Sequence, residues 1–165
     1  MKAGRCYLAV LIALVLALTA FGQPGGKGDP DNRCKQVGGV LMTNIGAIDA
    51  KYNLGPVFGD LRGSVAAQIL SANPDGTFTL QHYWVTDTGD SVYFAKAILH
   101  PTYPVGGSTV VAVPWGNYRS NITGGTGKFK DAHGYLDYFG MADFEKYTLV
   151  LRYSGKVCYA MTDKD

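Results

Sequence analysis

Histidines are the side chains of this sequence best suited to proton transfer. The chain contains three of them, His82, His100 and His133. His82 alternates with apolar residues, so it shares one face of a predicted strand with Leu80 and Trp84. This pattern favours a core histidine that is hydrogen-bonded to its surroundings over a general base. His100 precedes a proline and His133 lies in a glycine-rich turn, which is typical of solvated residues.

Asp137 and Arg152 are the candidate catalytic residues. Asp137 lies between Tyr135 and Phe139 on one face of a predicted strand, and a carboxyl group among aromatic rings could act as an acid. The alternative is that this face looks outward. Arg152 and Lys96 could each anchor a ligand carboxylate or be a surface charge. The chain has no Gly-x-Ser-x-Gly motif and no metal-ligand spacing, so we expect neither a nucleophilic serine nor a metal or other cofactor.

Large aromatic side chains are the candidate ligand-binding residues. Such side chains most often fill cores, but they also line the cavities that hold small molecules, together with a few polar groups. The chain has 11 tyrosines, 7 phenylalanines and 2 tryptophans. The candidates are Tyr83, Trp84, Tyr93, Trp115, Tyr118 and Tyr138.

The N-terminus has the pattern of a cleavable secretory signal. Lys2 and Arg5 precede the apolar run Tyr7–Ala20, and small residues precede a cut between Gly22 and Gln23. The run is shorter than the roughly 20 residues that cross a bilayer as a helix, so an uncleaved anchor is the less favoured alternative. We expect a signal peptide over residues 1–22, a disordered Gly/Pro/Asp linker over 23–33 and one domain over 34–165. The protein would then be secreted or periplasmic, without a membrane attachment after cleavage.

The charge balance of the mature chain is even. The sequence has 15 basic and 13 acidic residues, and removal of Lys2 and Arg5 with the signal leaves 13 of each. Nucleic-acid-binding domains carry basic patches, so we do not expect a nucleic acid partner. Asn121-Ile122-Thr123 fits a glycosylation acceptor if the host exports the chain through a glycosylating pathway.

Two cysteines remain once Cys6 leaves with the signal. Cys34 and Cys158 lie near the two ends of the mature chain, and export to an oxidising compartment favours a disulfide between them. The alternative is two unrelated buried thiols.

Short apolar segments separated by glycine-rich turns predict an all-β domain, an antiparallel barrel or a sandwich. Asp49–Val57 and Asn117–Thr126 are expected to be connecting segments. On Ser91–Leu99, alternation would place Val92, Phe94, Lys96 and Ile98 on one face. The predicted strands are Val37–Ile48, Phe58–Leu70, Thr77–Val85, Ser91–Leu99, Thr109–Trp115, Tyr135–Phe139 and Tyr147–Ala160.

Three segments in order resemble the dirigent and allene oxide cyclase superfamily. Gly124–Gly134, with the sequence GGTGKFKDAHG, is similar to the G-T-G-x-F-x-x-A-x-G corner of dirigent proteins. Gly59–Val65 resembles an early strand of the superfamily, and Tyr147–Gly155 resembles its closing strand. The resemblance spans about Val37–Tyr159.

This resemblance implies an eight-stranded antiparallel, calycin-like β-barrel with a hydrophobic lumen, often in a homotrimer. In the cyclases the lumen confines a fatty-acid-derived epoxide, and dirigent proteins orient phenolic radicals or quinone methides. The cyclases carry a functional glutamate in an early segment, whereas the comparable Leu41–Ile45 contains no acid.

Three hypotheses about function follow. In the first, the chain is a secreted barrel that holds an apolar or aromatic ligand in its lumen. In the second, it is a cyclase or isomerase, or a dirigent-type coupling protein, that confines a reactive substrate, with a tyrosine, Asp137 or Arg152 giving polar assistance. In the third, it is a structural trimer without a ligand.

Overall fold

The structure is a computed structural model that describes residues 33–104 and 106–160. The predicted signal peptide and the predicted linker up to residue 32 lie outside these ranges. Within them there is no helix long and apolar enough to cross a membrane. The described strands are β1 (Cys34–Asn44), β2 (Tyr52–Gly59), β3 (Gly63–Ala72), β4 (Phe78–Thr86), β5 (Ser91–Phe94), β6 (Ala97–Leu99), β7 (Val110–Val113), β8 (Arg119–Gly125), β9 (His133–Asp143) and β10 (Thr148–Cys158).

These ten strands form one closed antiparallel barrel with eight strand positions around its circumference, here called staves. β1 pairs with β10 along its whole length, and β10 pairs with β9, which closes the ring. β5 and β6 both pair with β4 and act as one interrupted stave. β7 and β8 both pair with β9 and act as another. The predicted fold class is therefore confirmed.

One end of the barrel, here called the packed end, is filled by side chains. It is the end at which β1 and β9 begin and β10 ends. Trp84 and Tyr153 meet there edge to face, with 5.4 Å between ring centroids. The Trp84 Nε1–H donates to the Leu61 carbonyl oxygen at 2.9 Å, and the Leu61 amide donates to the Tyr153 hydroxyl at 3.0 Å. These bonds satisfy the polar atoms of two buried aromatic residues.

The glycine-rich stretch turns the chain at this packed end. After β8, Gly127–Phe129 forms a short 3-10 helix, and Gly127 adopts a positive φ of 50° beside the Asp90 carboxylate, where a side chain would collide. The turn carries Phe129, which is fully buried, into the core. Burial of such a side chain stabilises the fold by about 1.5–3 kcal/mol. The predicted tight corner thus closes one end of the barrel.

Cys34 and Cys158 form the predicted disulfide, so this prediction is confirmed. The two cysteines are directly opposite each other in the ladder between β1 and β10. The bond therefore joins the first strand to the last at the packed end.

Two segments expected to be connections are strands. β2 covers most of Asp49–Val57, and its Gly55-Pro56 pair, which suggests a turn, lies inside the strand. Gly55 is needed there because a Cβ atom would fall on the Met42 carbonyl oxygen of β1. β8 covers most of Asn117–Thr126 and alternates exposed with buried residues. Its inward positions include a serine and a glycine, so no apolar alternation marks it in the sequence.

The predicted face of Ser91–Leu99 is correct for Val92 and Phe94 and wrong beyond them. Pairing between β5 and β8 shifts register after Tyr93, and β6 begins only at Ala97. An irregularity of this kind inserts a residue and reverses the faces. Lys96 and Ile98 therefore face outward, whereas Ala97 is buried.

Candidate functional site

The half of the barrel away from the packed end contains two small cavities. The larger, an apolar cavity of about 80 Å³, lies where β1 and β9 end, and we call this end of the barrel the cavity end. Its wall consists of Ile45, Asn53, Ile69, Phe78, Leu80, Leu99, Pro101, Tyr103, Val111, Val113, Ala142, Phe144 and Leu149. Asn53 is the one amide side chain in a wall that is otherwise mainly aliphatic and aromatic. The cavity is therefore suited to an apolar group.

A second cavity of about 30 Å³ adjoins the first, deeper in the barrel. Asn53, Leu80, Leu99 and Leu149 line both cavities. Polar side chains are concentrated in the deeper one, which we call the polar cavity. Its polar wall is formed by Thr43, Asn53, His82, Tyr118 and Tyr138. Neither cavity wall includes an Asp, Glu, Lys or Arg side chain.

His82 organises the polar cavity. Its Nε2 atom is 2.7 Å from the Tyr118 hydroxyl, and its Nδ1 atom is 3.0 Å from the Ser120 hydroxyl. Burial lowers the pKa of His82 to about 4, so the ring is neutral at neutral pH. A neutral ring donates from one nitrogen and accepts at the other. In either tautomer, one of these two hydroxyl protons is left free for another acceptor.

Tyr138 stacks on the His82 ring, with 5.2 Å between ring centroids and 16° between ring planes. Burial raises the pKa of Tyr138 and of Tyr118, so both phenols are protonated at neutral pH. Ser120 lies close enough to Tyr138 to oppose part of that rise. The Ser120 hydroxyl is bonded to His82, however, and the Tyr138 hydroxyl has no partner that satisfies hydrogen-bond geometry.

Two further buried oxygen atoms of this wall lack a hydrogen bond. They are Oγ1 of Thr43 and Oδ1 of Asn53. The two residues are 4 % and 8 % exposed, and Tyr138 is fully buried. The three residues that carry these unsatisfied atoms therefore all line one small cavity, whereas buried polar groups are almost always paired. Sequence reasoning did not identify Thr43, Asn53 or Ser120. The available signal was the alternation of Thr43 with Leu41 and of Ser120 with Ile122, whereas Asn53 lies between Lys51 and Gly55 at the alternating positions and has no such signal.

Among the six predicted ligand-binding residues, the structure brings only Tyr118 and Tyr138 to the cavities. Trp84 is buried in the packed end and lines neither cavity. Tyr83 and Tyr93 face outward as neighbours on β4 and β5, and Trp115 lies in the connection before β8. All three are more than half exposed. Tyr83, Tyr93 and Trp115 are therefore not lumen residues.

Asp137 and Arg152 both lie on the outside of the barrel. Asp137 is buried on the outer face of β9 beneath Arg119, which donates to its two carboxylate oxygens, each at 2.7 Å. The Arg119 guanidinium also lies 4.0 Å from the centre of the Tyr135 ring. Arg152 is exposed on β10 and borders an outer groove. The Asp137 carboxylate thus has a structural partner, and neither residue contacts the lumen.

The remaining candidates are at the surface. His100, His133, Lys96 and Asn121 are exposed, and the Asn121 side chain projects outward from β8. His82 therefore differs from the other two histidines, as its strand pattern predicted.

Comparison with solved structures places two dirigent proteins beside this fold. The pterocarpan synthase dirigent protein GePTS1 is 16 % identical, with a TM-score of 0.35, over 85 % of this chain and 96 % of its own. The pterocarpan synthase dirigent protein PsPTS1 is 14 % identical, with a TM-score of 0.34, over 80 % of this chain and 99 % of its own. No family model and no curated protein matches the chain.

What the structure establishes is the architecture, a closed antiparallel β-barrel of eight staves. This is the barrel that the resemblance of the three sequence segments implies. At these identities and TM-scores, the two dirigent structures add nothing to that statement about this chain.

Proposed function

We propose that the protein is a small-molecule-binding barrel that holds an apolar or aromatic ligand in its lumen. The supporting observation is a pair of adjoining cavities, one with an apolar wall and one whose wall combines apolar side chains with a group of polar ones. Binding sites combine an apolar wall with a few convergent polar groups in this way. The Cys34–Cys158 disulfide supports export to an oxidising compartment, where the ligand would be met.

The volumes limit the ligand. A cavity of about 150 Å³ is known to hold benzene, and the apolar cavity here measures about 80 Å³. The ligand, or the part of it that enters the barrel, is therefore small unless side chains at the cavity end move. Tyr103 and Phe144 line that end and are about half exposed, so their rotation would enlarge the cavity; for Tyr103, rotation would break the hydrogen bond from its hydroxyl to the Gly76 carbonyl oxygen.

A substitution that fills the apolar cavity tests this function. Ala142 lines the cavity, and Ala142→Leu would occupy it, whereas Ala112 on the adjacent β7 faces outward. We expect cyclopentane to shift the amide NMR signals of lumen residues in the wild type and in Ala112→Leu. In Ala142→Leu these shifts are expected to disappear. Absence of the shifts in the wild type, or their persistence in Ala142→Leu, would contradict ligand binding in the lumen.

An isomerase or cyclase is the alternative function, favoured by the hydrogen-bonded Tyr118 and His82 in the cavity wall. Because Asp137 and Arg152 lie outside the lumen, the polar assistance in such a reaction is assigned to Tyr118. The enzyme hypothesis expects a ligand eluted from the wild type to be chemically converted, and the same ligand eluted from Tyr118→Phe to be unchanged. If neither protein converts the ligand, the enzyme hypothesis fails and only the binding function remains.

A homotrimer is the proposed assembly, either with the ligand or as a structural role of its own. Met42, Val150 and Met141 are neighbours across the outer faces of β1, β10 and β9, and each is 40–55 % exposed. Exposed apolar patches of this kind mark contact surfaces. Native mass spectrometry of protein purified from its own host tests both trimer formation and ligand retention in one spectrum. A retained ligand adds mass to each subunit, and a monomer mass alone would contradict the trimer.

A further inference from the structure

The three unsatisfied oxygens of the polar cavity require a partner. Leaving a buried polar group unpaired costs about 1–3 kcal/mol, and Thr43, Asn53 and Tyr138 each have one such atom. They lie on β1, β2 and β9, and they reach one cavity from different sides of the barrel. A group that bonded to two or three of these atoms at once would remove the cost of leaving them unpaired.

The position of these atoms indicates more than a trapped water. A cavity of about 30 Å³ is large enough for one water molecule. Asn53, however, also lines the apolar cavity, so the polar cavity continues into a larger space whose wall is mainly apolar. A water molecule would fill the polar part and leave the apolar part empty. A molecule with a polar head and an apolar body would fill both.

The side chains that line the two cavities disfavour a charged ligand. No acidic or basic side chain lines either cavity, and His82 is neutral and already bonded to two hydroxyls. An isolated ion moved into such a site loses its hydration without gaining a counter-charge. The Thr43 and Tyr138 hydroxyls can donate to the oxygen of an alcohol, an aldehyde or a ketone, and Asn53 Oδ1 can accept from an alcohol.

We propose that the Thr43 and Tyr138 hydroxyls bind the head group of an uncharged amphiphile, an alcohol or carbonyl compound whose short apolar body lies in the adjoining cavity, and that an alcohol also donates to Asn53 Oδ1. This inference rests on the proposed function and specifies its ligand class.

Matched ligands and isosteric variants test the proposal. The ligands are cyclopentane, cyclopentanol, cyclopentanone, cyclopentanecarboxylate and cyclopentylammonium, titrated by NMR at lumen amides. The variants are Thr43→Val and Tyr138→Phe, which remove a hydroxyl at nearly constant volume. Thr123→Val on the outer face of β8 is the control, since Thr123 is exposed.

We expect each lumen variant to bind cyclopentanol and cyclopentanone about tenfold more weakly than the wild type, which corresponds to the loss of one hydrogen bond. Affinity for cyclopentane is expected to stay the same, and Thr123→Val to behave as the wild type. The two ionic ligands are expected not to bind. Both lumen variants are also expected to raise the melting temperature of the ligand-free protein, because each removes an unpaired buried hydroxyl.

The failures are distinguishable. If none of the five compounds binds the wild type, the proposed function itself fails. If cyclopentane binds but the lumen variants leave the affinity for cyclopentanol unchanged, the lumen is a binding site without a polar subsite, and this inference is overturned. Equal binding of an ionic analogue, or a melting temperature lowered in both lumen variants, would overturn it as well. The last result would show that a bound water already pairs these hydroxyls.

Discussion

Two hydroxyl groups and the face of Tyr138 hold His82 in the middle of the barrel, and its burial keeps the ring uncharged by lowering its pKa. Because the folded protein keeps His82 neutral, low pH destabilises the folded state. The unfolded chain binds a proton at this residue near pH 6.5, whereas the folded chain binds it only near pH 4. Between these values the unfolded state holds more protons, so the free energy of unfolding decreases as the pH falls.

The size of this effect can be measured. We expect His82 to contribute a loss on the order of 3 kcal/mol between about pH 6.5 and pH 4, and no pH dependence above pH 7. Urea unfolding of the wild type and of His82→Gln across this range would isolate it, because other titrating groups are common to both proteins. His133→Gln, at an exposed histidine, is the matched control. A slope unchanged in His82→Gln would show that His82 is not the group responsible.

The sequence predicts part of the site at this scale. The alternation of His82 with Leu80 and Trp84 correctly indicates a hydrogen-bonded core histidine, and two of the six aromatic residues predicted to bind a ligand, Tyr118 and Tyr138, line a cavity. Asn53 escapes detection because a polar side chain on an inward position looks the same in sequence as one on a surface, and for Thr43 only the alternation with Leu41 indicates the inward face. Only the closing of the ring shows that these residues, which come from β1 and β2, share a cavity with Tyr138 of β9.

At the scale of strands, close approach decides where glycine is required. Gly39 of β1 lies over the Tyr153 ring, and a Cβ atom at this position would be 2.6 Å from Tyr153 Cε1 and would also collide with the Phe58 carbonyl oxygen. Tyr153 cannot yield easily, because it is buried against Trp84 and its hydroxyl accepts the Leu61 amide. The neighbouring Gly38 has its nearest atom at 3.4 Å, which is an ordinary contact.

These adjacent glycines form a matched pair of substitutions. Gly39→Ala is expected to lower the free energy of unfolding by about 1–3 kcal/mol through overpacking. Gly38→Ala is expected to cause no loss, since the added methyl group fits. Chemical denaturation of both variants with tyrosine and tryptophan fluorescence would report the difference. Equal stability of the two variants would contradict the tight packing of β1 over Tyr153.

Strand positions are predictable where apolar alternation is strong and fail where glycine or serine takes the inward positions. β4 and β10 follow their predicted segments closely. β2 and β8 were expected to be connections because Gly55-Pro56 and the polar run before the corner resemble turns. The reversal of faces between β5 and β6 follows from a register shift, which depends on pairing with β8 and has no local signature.

At the scale of the whole molecule, the disulfide closes the ring of strands covalently. Cys34 and Cys158 are separated by 124 positions, so the bond restricts a very long loop in the unfolded chain. Replacement of both cysteines by serine is expected to lower the free energy of unfolding by about 2–5 kcal/mol. Reductant should destabilise the wild type by a similar amount and leave the double serine variant unaffected. A loss below about 1 kcal/mol would show that the unfolded chain gains little freedom from the break.

The pairing of β1 with β10 also constrains how the barrel can be made. β1 is the first stave to be synthesised and β10 the last, yet they share an uninterrupted ladder from Cys34↔Cys158 to Asn44↔Thr148. Until β10 has been synthesised, β1 and β9 each lack one neighbouring strand. The nascent chain then has two unpaired strand edges that could pair with other polypeptides and aggregate. Such distant pairing is kinetically slow. The ribosome must therefore release nearly the entire domain before the barrel can close by pairing of β1 with β10. Chaperones that bind nascent chains would act throughout that interval.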